Sequence, residues 1–370
     1  QKRAAWDIFQ DMETGAPMNR LLQGDVGSGK TIVAILAALQ TAGAGFQTAL
    51  LAPTEILAKQ HYDTFRSILG SGDGVALLTR TFANTNGNEI SKDEMAKKIK
   101  SGKVTICIGT HALLQGKTEF HKLGLVIIDE QHRFGVAQRS FLFQDSPKKT
   151  RPHLLSMSAT PIPRTLAMSL YADLSVSTLN HLPTGRKPVE TLVVPELKRE
   201  LAYDFVRSEV ANGRQAFIVT PRVEDTETSD VRSVKKEYAR LQKDVFPKLR
   251  LGLLYGKMKG ADKEKVMAGF AVGELNILVS TSVIEIGIDI PNATTMIIEG
   301  SERFGLAQLH QLRGRIGRNN FDCKCFLFTT QDSQQDTKRL NALAKINDGF
   351  ALAQLDLEER GFGDLFGKDQ

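Results

Sequence analysis

The sequence predicts an α/β chain of two lobes, each a parallel sheet flanked by helices, with a small helical segment at the C-terminal end. Three observations carry this. Short apolar, β-branched runs alternate with amphipathic stretches; the alternation breaks once, around residues 180–195; and beyond about Asp332 helical spacing continues without strand signals. A length of 370 residues fits two or three domains, at roughly 100 to 200 residues each.

In chain order, MNRLLQ at 18–23 reads as a strand, and the apolar run 32–39 as the helix after it. Residues 48–51, 104–108, 125–128 and 154–158 continue the strands of a first lobe, 1–182. In HLPTGRKPVETLVVP three prolines and a glycine interrupt the rhythm, so residues 183–195 are expected to form a linker. The second lobe, 196–331, restarts with strands at 216–219, 251–255, 277–280, 296–298 and 326–328, and with helical stretches at 196–211 and 263–270. Leu340, Leu343, Ile346 and Phe350 then recur at helical spacing in the tail, 332–370.

Lys and Arg total 48 against 42 Asp and Glu, a formal charge of +6. That excess is compatible with a polyanionic partner, but surface lysines are ordinarily solvating charges. Cys107, Cys323 and Cys325 cannot build a disulfide framework, and a single C-x-C lacks four zinc ligands; they read as buried small apolar residues in a reducing compartment. The run 32–39 is far shorter than the ~20 residues that cross a bilayer, and no charged-then-apolar leader opens the chain. A soluble, cytoplasmic protein with no membrane partner is expected, and Gln1 and Gln370 read as ends cut from a longer chain.

GDVGSGKT (Gly24, Asp25, Val26, Gly27, Ser28, Gly29, Lys30, Thr31) fits G-x-x-x-x-G-K-[ST], follows a strand and opens a helix, which is the context a P-loop needs. Its glycines let backbone N–H groups curl around a phosphate at a positive helix terminus. Lys30 would reach the β- and γ-phosphates of ATP, and the Thr31 hydroxyl would ligate Mg²⁺. A metal-holding carboxylate and a base are also required, and LVIIDE at 125–130 supplies both. Asp129 would hold Mg²⁺ and Glu130 would orient and deprotonate the attacking water. An acidic pair after a strand often only starts a helix; beside a P-loop the catalytic reading wins.

QLRGRIGR at 311–318 places Arg315 and Arg318 three apart, on one face if helical. An arginine brought to the γ-phosphate by a second lobe is worth roughly 10³ to 10⁵ in rate. The same residues also fit a basic, solvated helix touching nucleic-acid phosphates, and composition does not choose between the two.

Together the motifs are specific enough to name a family. GDVGSGKT, APTEILAKQH at 52–61, GTHALLQ at 109–115, DEQH at 129–132, SATPIPRT at 158–165, VIEIGIDIPNA at 283–293 and QLRGRIGR stand in helicase superfamily 2 order. Within it, DEQHRFGVAQR, PIPRTLAMSLYADL, LPTGRKPVET, ERFGLAQLHQLRGRIGR and NDGFALAQLDLEERGFGDLFGKDQ resemble the RecG family of branched-DNA helicases over nearly the whole chain.

The resemblance implies two RecA-like P-loop lobes with ATP and Mg²⁺ between them, a C-terminal helical segment coupling lobe closure to movement on DNA, and action on forks and Holliday junctions. It implies that Gln1 ends an adenine-reading motif and that Gly287 and Asp289 line the nucleotide, Asp289 at the ribose. Gln311, Arg315 and Arg318 would face the γ-phosphate. Pro53, Thr54, Gly109, Thr110, Thr281 and Ser282 would approach the DNA backbone. His132 and Ser158, Ala159 and Thr160 would couple hydrolysis to that track, with a translocation motif around Arg360 to Gln370. Phe362 and Asp369 depart from the family pattern, where proline and a basic residue are usual. The family's N-terminal wedge has no counterpart in these residues, so the full-length chain is expected to carry it, and a monomer is expected. A transcription-repair coupling motor and a non-translocating ATP-dependent clamp are the rival readings.

Overall fold

A computed structural model describes residues 1–70, 74–110, 113, 118–130, 151–159, 174–179, 187–221, 227–281, 290–317, 321–330 and 334–360. The chain divides into two compact units, Gln1–Leu182 and Pro183–Gln370.

The first unit is a nine-stranded sheet. Its strands are β1 (Asn19–Gly24), β2 (Gln47–Ala52), β3 (Val75–Leu78), β4 (Ala83–Thr85), β5 (Asn88–Glu89), β6 (Ile106–Thr110), β7 (Leu123–Asp129), β8 (His153–Ser158) and β9 (Ser175–Leu179), in the order β5-β4-β3-β6-β2-β7-β8-β1-β9. All pairs are parallel except β3 with β4 and β4 with β5. The described helices are α1 (Lys2–Glu13), α2 (Lys30–Gly43), α3 (Glu55–Leu69) and α4 (Lys92–Lys100). The central strands β2 and β6 are buried at every position, as expected of parallel strands covered on both faces.

The second unit is a six-stranded, wholly parallel sheet ordered β10-β15-β14-β11-β13-β12: β10 (Glu190–Val194), β11 (Gln215–Thr220), β12 (Leu251–Leu254), β13 (Ile277–Thr281), β14 (Ala293–Ile298) and β15 (Lys324–Phe328). Around it lie α5 (Arg199–Ala211), α6 (Glu227–Arg240), α7 (Gly260–Ala271), α8 (Leu306–Arg313), α9 (Gln334–Lys345) and α10 (Gly349–Arg360). Tyr203 meets Phe246 and Phe328 edge-on, with ring centroids 5.6 and 5.7 Å apart, inside the core formed by α5 and the sheet. The expected linker needs correction here. Glu190–Val194, between two of the prolines, is an edge strand in register with β15, Thr191 opposite Cys325. Pro188 and Pro195 bound it rather than forbid it, because an edge strand tolerates proline at its ends.

The two sheets share a device that the sequence does not advertise. At the start of β2, Gln47 Nε2 donates to Ile99 O (2.9 Å) and Val104 O (2.6 Å), at the end of α4 and in the loop after it. At the start of β11, Gln215 Nε2 donates to Phe270 O (2.6 Å) and Leu275 O (2.8 Å), at the equivalent end of α7. In each lobe a buried amide thus adds donors to carbonyls where a crossover helix turns back into the neighbouring strand. Cys107, Cys323 and Cys325 are buried and none is in a disulfide, and burial pushes the Cys107 and Cys325 thiols up to about 12. No helix of the described residues is long and apolar enough to cross a membrane.

Candidate active site

Strands β7, β8 and β1 lie side by side and parallel, with Asp129 opposite Met157 and Gln23 opposite Ser158. On the far side of β7, β2 pairs Leu51 with Ile128, and β6 pairs Thr110 with Ala52. The carboxyl ends of five neighbouring strands therefore bring Gly24, Ser158, Asp129, Pro53 and Thr110 to one sheet edge, where open α/β sheets bind ligands.

The loop after β1 is held in a shape that only its sequence permits. Gly27 and Gly29 have φ of +82° and +91°, in the left-handed region that glycine enters without penalty. A Cβ on Gly29 would lie 2.1 Å from Gln1 Nε2, and one on Gly24 would lie 2.7 Å from Ser28 Oγ. Gln1 Nε2 donates to Ser28 O at 2.8 Å. Arg20 on β1 steadies the helix behind Gln1 by donating to Asp11 on α1 and to Ser177 on β9, both at 2.7 Å. Lys30 Nζ reaches back along the loop to Gly24 O (2.7 Å) and Asp25 O (3.1 Å). No side chain caps α2, so the amides of its first turn and the positive end of its dipole face the loop. Ser28 Oγ is buried and has no hydrogen-bond partner among the described residues. An uncapped helix, an oriented lysine and an unsatisfied hydroxyl inside a glycine loop fit a bound phosphate.

At the end of β7, Glu130 is buried and has φ of +54°, a conformation that costs a non-glycine residue about 1 to 3 kcal/mol. Such strain persists only where the surroundings fix it. Glu130 N–H donates to Asp129 Oδ1 (3.1 Å), and Ala159 N–H donates to Glu130 Oε2 at 3.5 Å, so the end of β8 touches the expected base directly. Asp129 Oδ2 lies 2.8 Å from His61 Nε2 on α3. Burial alone would raise the Asp129 carboxyl; the His61 hydrogen bond and charge, Lys30 and the Glu130 N–H outweigh it and hold the group below the usual carboxylate value. It is therefore ionised at neutral pH and suited to a hard cation. Among the described residues no cluster of three or more His, Cys, Asp or Glu could hold a metal ion. A magnesium held by one hydroxyl, one carboxylate and phosphate oxygens needs no such cluster.

The remaining lobe 1 residues flank this edge. Thr54 Oγ1 accepts from Leu57 N–H (3.3 Å) and caps α3. Gly109 runs so close to β3 that a Cβ would sit 2.1 Å from Leu78 O.

In lobe 2, Thr281 ends β13 opposite Thr220 and is buried. Helix α8 contains Gln311, whose amide nitrogen is buried without a partner among the described residues, and stops at Arg313 with Gly314 as its C-cap. The helical alternative is corrected by this for Arg315. Arg315 lies beyond the helix, between Gly314 and a left-handed Gly317 (φ +75°), because glycine ends helices readily. The solvated-helix alternative fails as well: Arg315 is 2% exposed. His132, Thr160, Ser282, Gly287, Asp289, Arg318, Phe362, Asp369, Gln370, the stretch RFGVAQR at 133–139 and the Arg360 side chain lie outside the described residues.

Two family models match in tandem, "DEAD/DEAH box helicase" over residues 2–169 and "Helicase conserved C-terminal domain" over 197–320. An ATP-dependent DNA helicase RecG of Thermotoga maritima is 48% identical over 100% of this chain and 46% of that protein. Its counterpart in Synechocystis is 45% identical over 100% of this chain and 44% of that protein. The structure of a RecG bound to a three-way DNA junction superposes with a TM-score of 0.83 at 45% identity, covering 98% of this chain and 47% of that one. The chain belongs to the RecG family. It spans about half the length of the curated relatives it matches. A DNA-bound structure of the helicase MrfA, at 17% identity and a TM-score of 0.70, shares the fold.

Two residues to which sequence reasoning gave no role stand out in this RecG-family chain. His61 sits on the buried stripe of α3 with Leu57, Ala58, Tyr62 and Phe65, where an aliphatic residue would be routine. A histidine on an apolar stripe was the available signal. Arg313, buried inside QLRGRIGR, donates to Leu343 O (2.7 Å) and Ile346 O (3.0 Å) at the end of α9. Its neighbours in the motif are arginines too, so nothing in the string set it apart.

Proposed function

We propose that this chain is the ATP-driven motor of a RecG-type DNA helicase, coupling ATP hydrolysis to movement on branched duplex DNA such as stalled forks and Holliday junctions. The contact of Ala159 N–H with Glu130 carries the reading, since it joins SAT to the expected base within one lobe. Identity of 45–48% to RecG helicases over the whole of this chain supports the choice of DNA and of branched substrates.

The loop amides and Lys30 would hold the β- and γ-phosphates of ATP, and the Thr31 hydroxyl and Asp129 would hold Mg²⁺. Mg²⁺ held there would supply charge neutralisation at the phosphates. Glu130 accepts the proton of the attacking water, from a position fixed by its strained backbone and by Ala159. Arg315 and Arg318 meet the γ-phosphate, Gly287 and Asp289 line the nucleotide, and Gln1, already on the loop carbonyl, reads adenine. Pro53, Thr54, Gly109, Thr110, Thr281 and Ser282 track the DNA backbone without reading bases. A monomer is the assembly this reading assigns, and three buried cysteines, none in a disulfide, suit the cytoplasm. The matched relatives are about twice as long, which leaves room for a wedge domain outside these residues.

The decisive experiment measures ATP hydrolysis by this chain and by its full-length parent with forked DNA, linear duplex, single-stranded DNA and RNA. Stimulation by duplex or forked DNA above RNA supports the proposal. Equal turnover with and without every nucleic acid refutes it.

A further inference from the structure

Asp129 is gripped from two directions: Oδ1 by the Glu130 N–H of its own strand end and Oδ2 by His61 from α3. A carboxylate only accepts, so His61 Nε2 carries the hydrogen, and each oxygen keeps a lone pair for a metal or its water. His61 is 7% exposed. Helix α3 is therefore not merely packed beneath the sheet edge; it holds one oxygen of the metal-site carboxylate.

The same helix begins at the nucleic-acid side of the edge. Thr54 is its N-cap, with its hydroxyl engaged by Leu57 N–H. Seven residues, two helical turns and about 10 Å separate Thr54 from His61 along one face of a rigid rod. Tyr62, next in the buried stripe, donates to Asn84 Oδ1 at 2.8 Å and fastens the rod to β4, away from the phosphate loop. A shift or rotation at Thr54 is thus delivered to Asp129 through His61.

We propose that His61 is a positioning residue that links the Pro53–Thr54 loop to Asp129, so that DNA bound at the head of α3 sets the pose of the carboxylate and the grip on Mg²⁺-nucleotide. The proposal rests on the reading of Asp129 and Pro53–Thr54 given above and adds the device that joins them. It accounts for a buried histidine on an otherwise apolar helix face. It also gives lobe 1 a route from track to metal separate from the Ala159 contact on β8.

The test compares wild type with His61→Ala, His61→Asn and His61→Gln. A glutamine amide reaches about as far as Nε2, whereas asparagine stops short. Binding of a fluorescent ATP analogue is titrated with Mg²⁺, with and without linear duplex, alongside ATP turnover and thermal melting. In wild type, DNA should lower the Mg²⁺ concentration needed for half-maximal binding. Alanine and asparagine should abolish that shift and reduce the ratio of DNA-stimulated to basal turnover by about tenfold or more, the equivalent of one charge-assisted hydrogen bond, while glutamine recovers much of both. If the alanine variant does not fold, the asparagine and glutamine pair carries the comparison. A DNA-dependent Mg²⁺ shift that survives in the asparagine variant overturns the proposal; so does a glutamine variant no better than asparagine. A wild type indifferent to every nucleic acid overturns the motor reading itself, which is a distinct result.

Discussion

At the scale of single residues, the loop and the strand end make separable predictions. Lys30→Ala should abolish ATP turnover, since the only cation carried by the P-loop is removed from the phosphates. Glu130→Gln should keep nucleotide and DNA binding yet lower kcat by about 10² to 10⁴; normal turnover in that variant would remove Glu130 as the base. In lobe 2, Glu299 follows β14 beside Arg199, 3.3 Å away, with one carboxylate oxygen buried and unpartnered. Burial above all, opposed by Arg199 and Arg240 and reinforced by Glu237 and Glu302, pushes its carboxyl from 4.5 up to about 7. The folded state then binds the extra proton. Its stabilising contribution is complete below 4.5 and is lost as pH rises through 7, a change on the order of 3 kcal/mol. Melting temperature should fall between about pH 5 and about pH 8, and Glu299→Gln should flatten the fall. An unchanged pH slope in that variant would show that Glu299 titrates normally.

At the scale of elements, buried polar side chains fasten helices to sheets. Gln47 and Gln215 each give two hydrogen bonds to carbonyls at a helix end; Gln47→Leu or Gln215→Leu removes both, and Ile99 O and Phe270 O then keep the N–H bonds of Gly102 and Gly273. Each change should lower stability by roughly 1 to 3 kcal/mol in denaturant unfolding. Arg313 plays the corresponding part for the C-terminal helices, with Arg339 adding bonds from α9 to Phe304 O (2.9 Å) and Glu302 O (2.5 Å). Arg313→Ala should therefore accelerate amide exchange selectively over 334–360, in the segment expected to couple the motor to DNA. Exchange unchanged there would show that α9 and α10 are held by apolar packing alone.

At the scale of the whole molecule, the modest charge of +6 and the backbone character of the expected DNA contacts set the form of binding. Affinity should depend little on sequence and should fall linearly in log–log terms with added salt, because neutralised phosphates release counterions. A flat salt response would contradict backbone tracking. Arg318→Ala should reduce kcat by about 10³ or more with little change in nucleotide affinity, as expected of an arginine that acts on the transition state.

Much of this was legible in the residues. Strand runs such as 48–51 and 277–280 lie inside β2 and β13 because continuous apolar, β-branched stretches suit strands covered on both faces. The phosphate loop could be read because its glycine spacing is a backbone requirement, local in sequence. Less legible were β4, β5 and β10, short or at a sheet edge, where half the pairing partners and half the apolar signal are missing. What the sequence alone determined was the glycine loop, the acidic pair and the family, all of which live in contiguous strings. Only the tertiary structure decided that His61 reaches Asp129 and that Arg315 lies outside its helix. It also decided that Arg313 serves α9 and that Gln47 and Gln215 close their lobes in the same way. Those facts depend on which strand ends lie side by side and which buried polar atoms need a partner, and long-range packing, not local spacing, settles both.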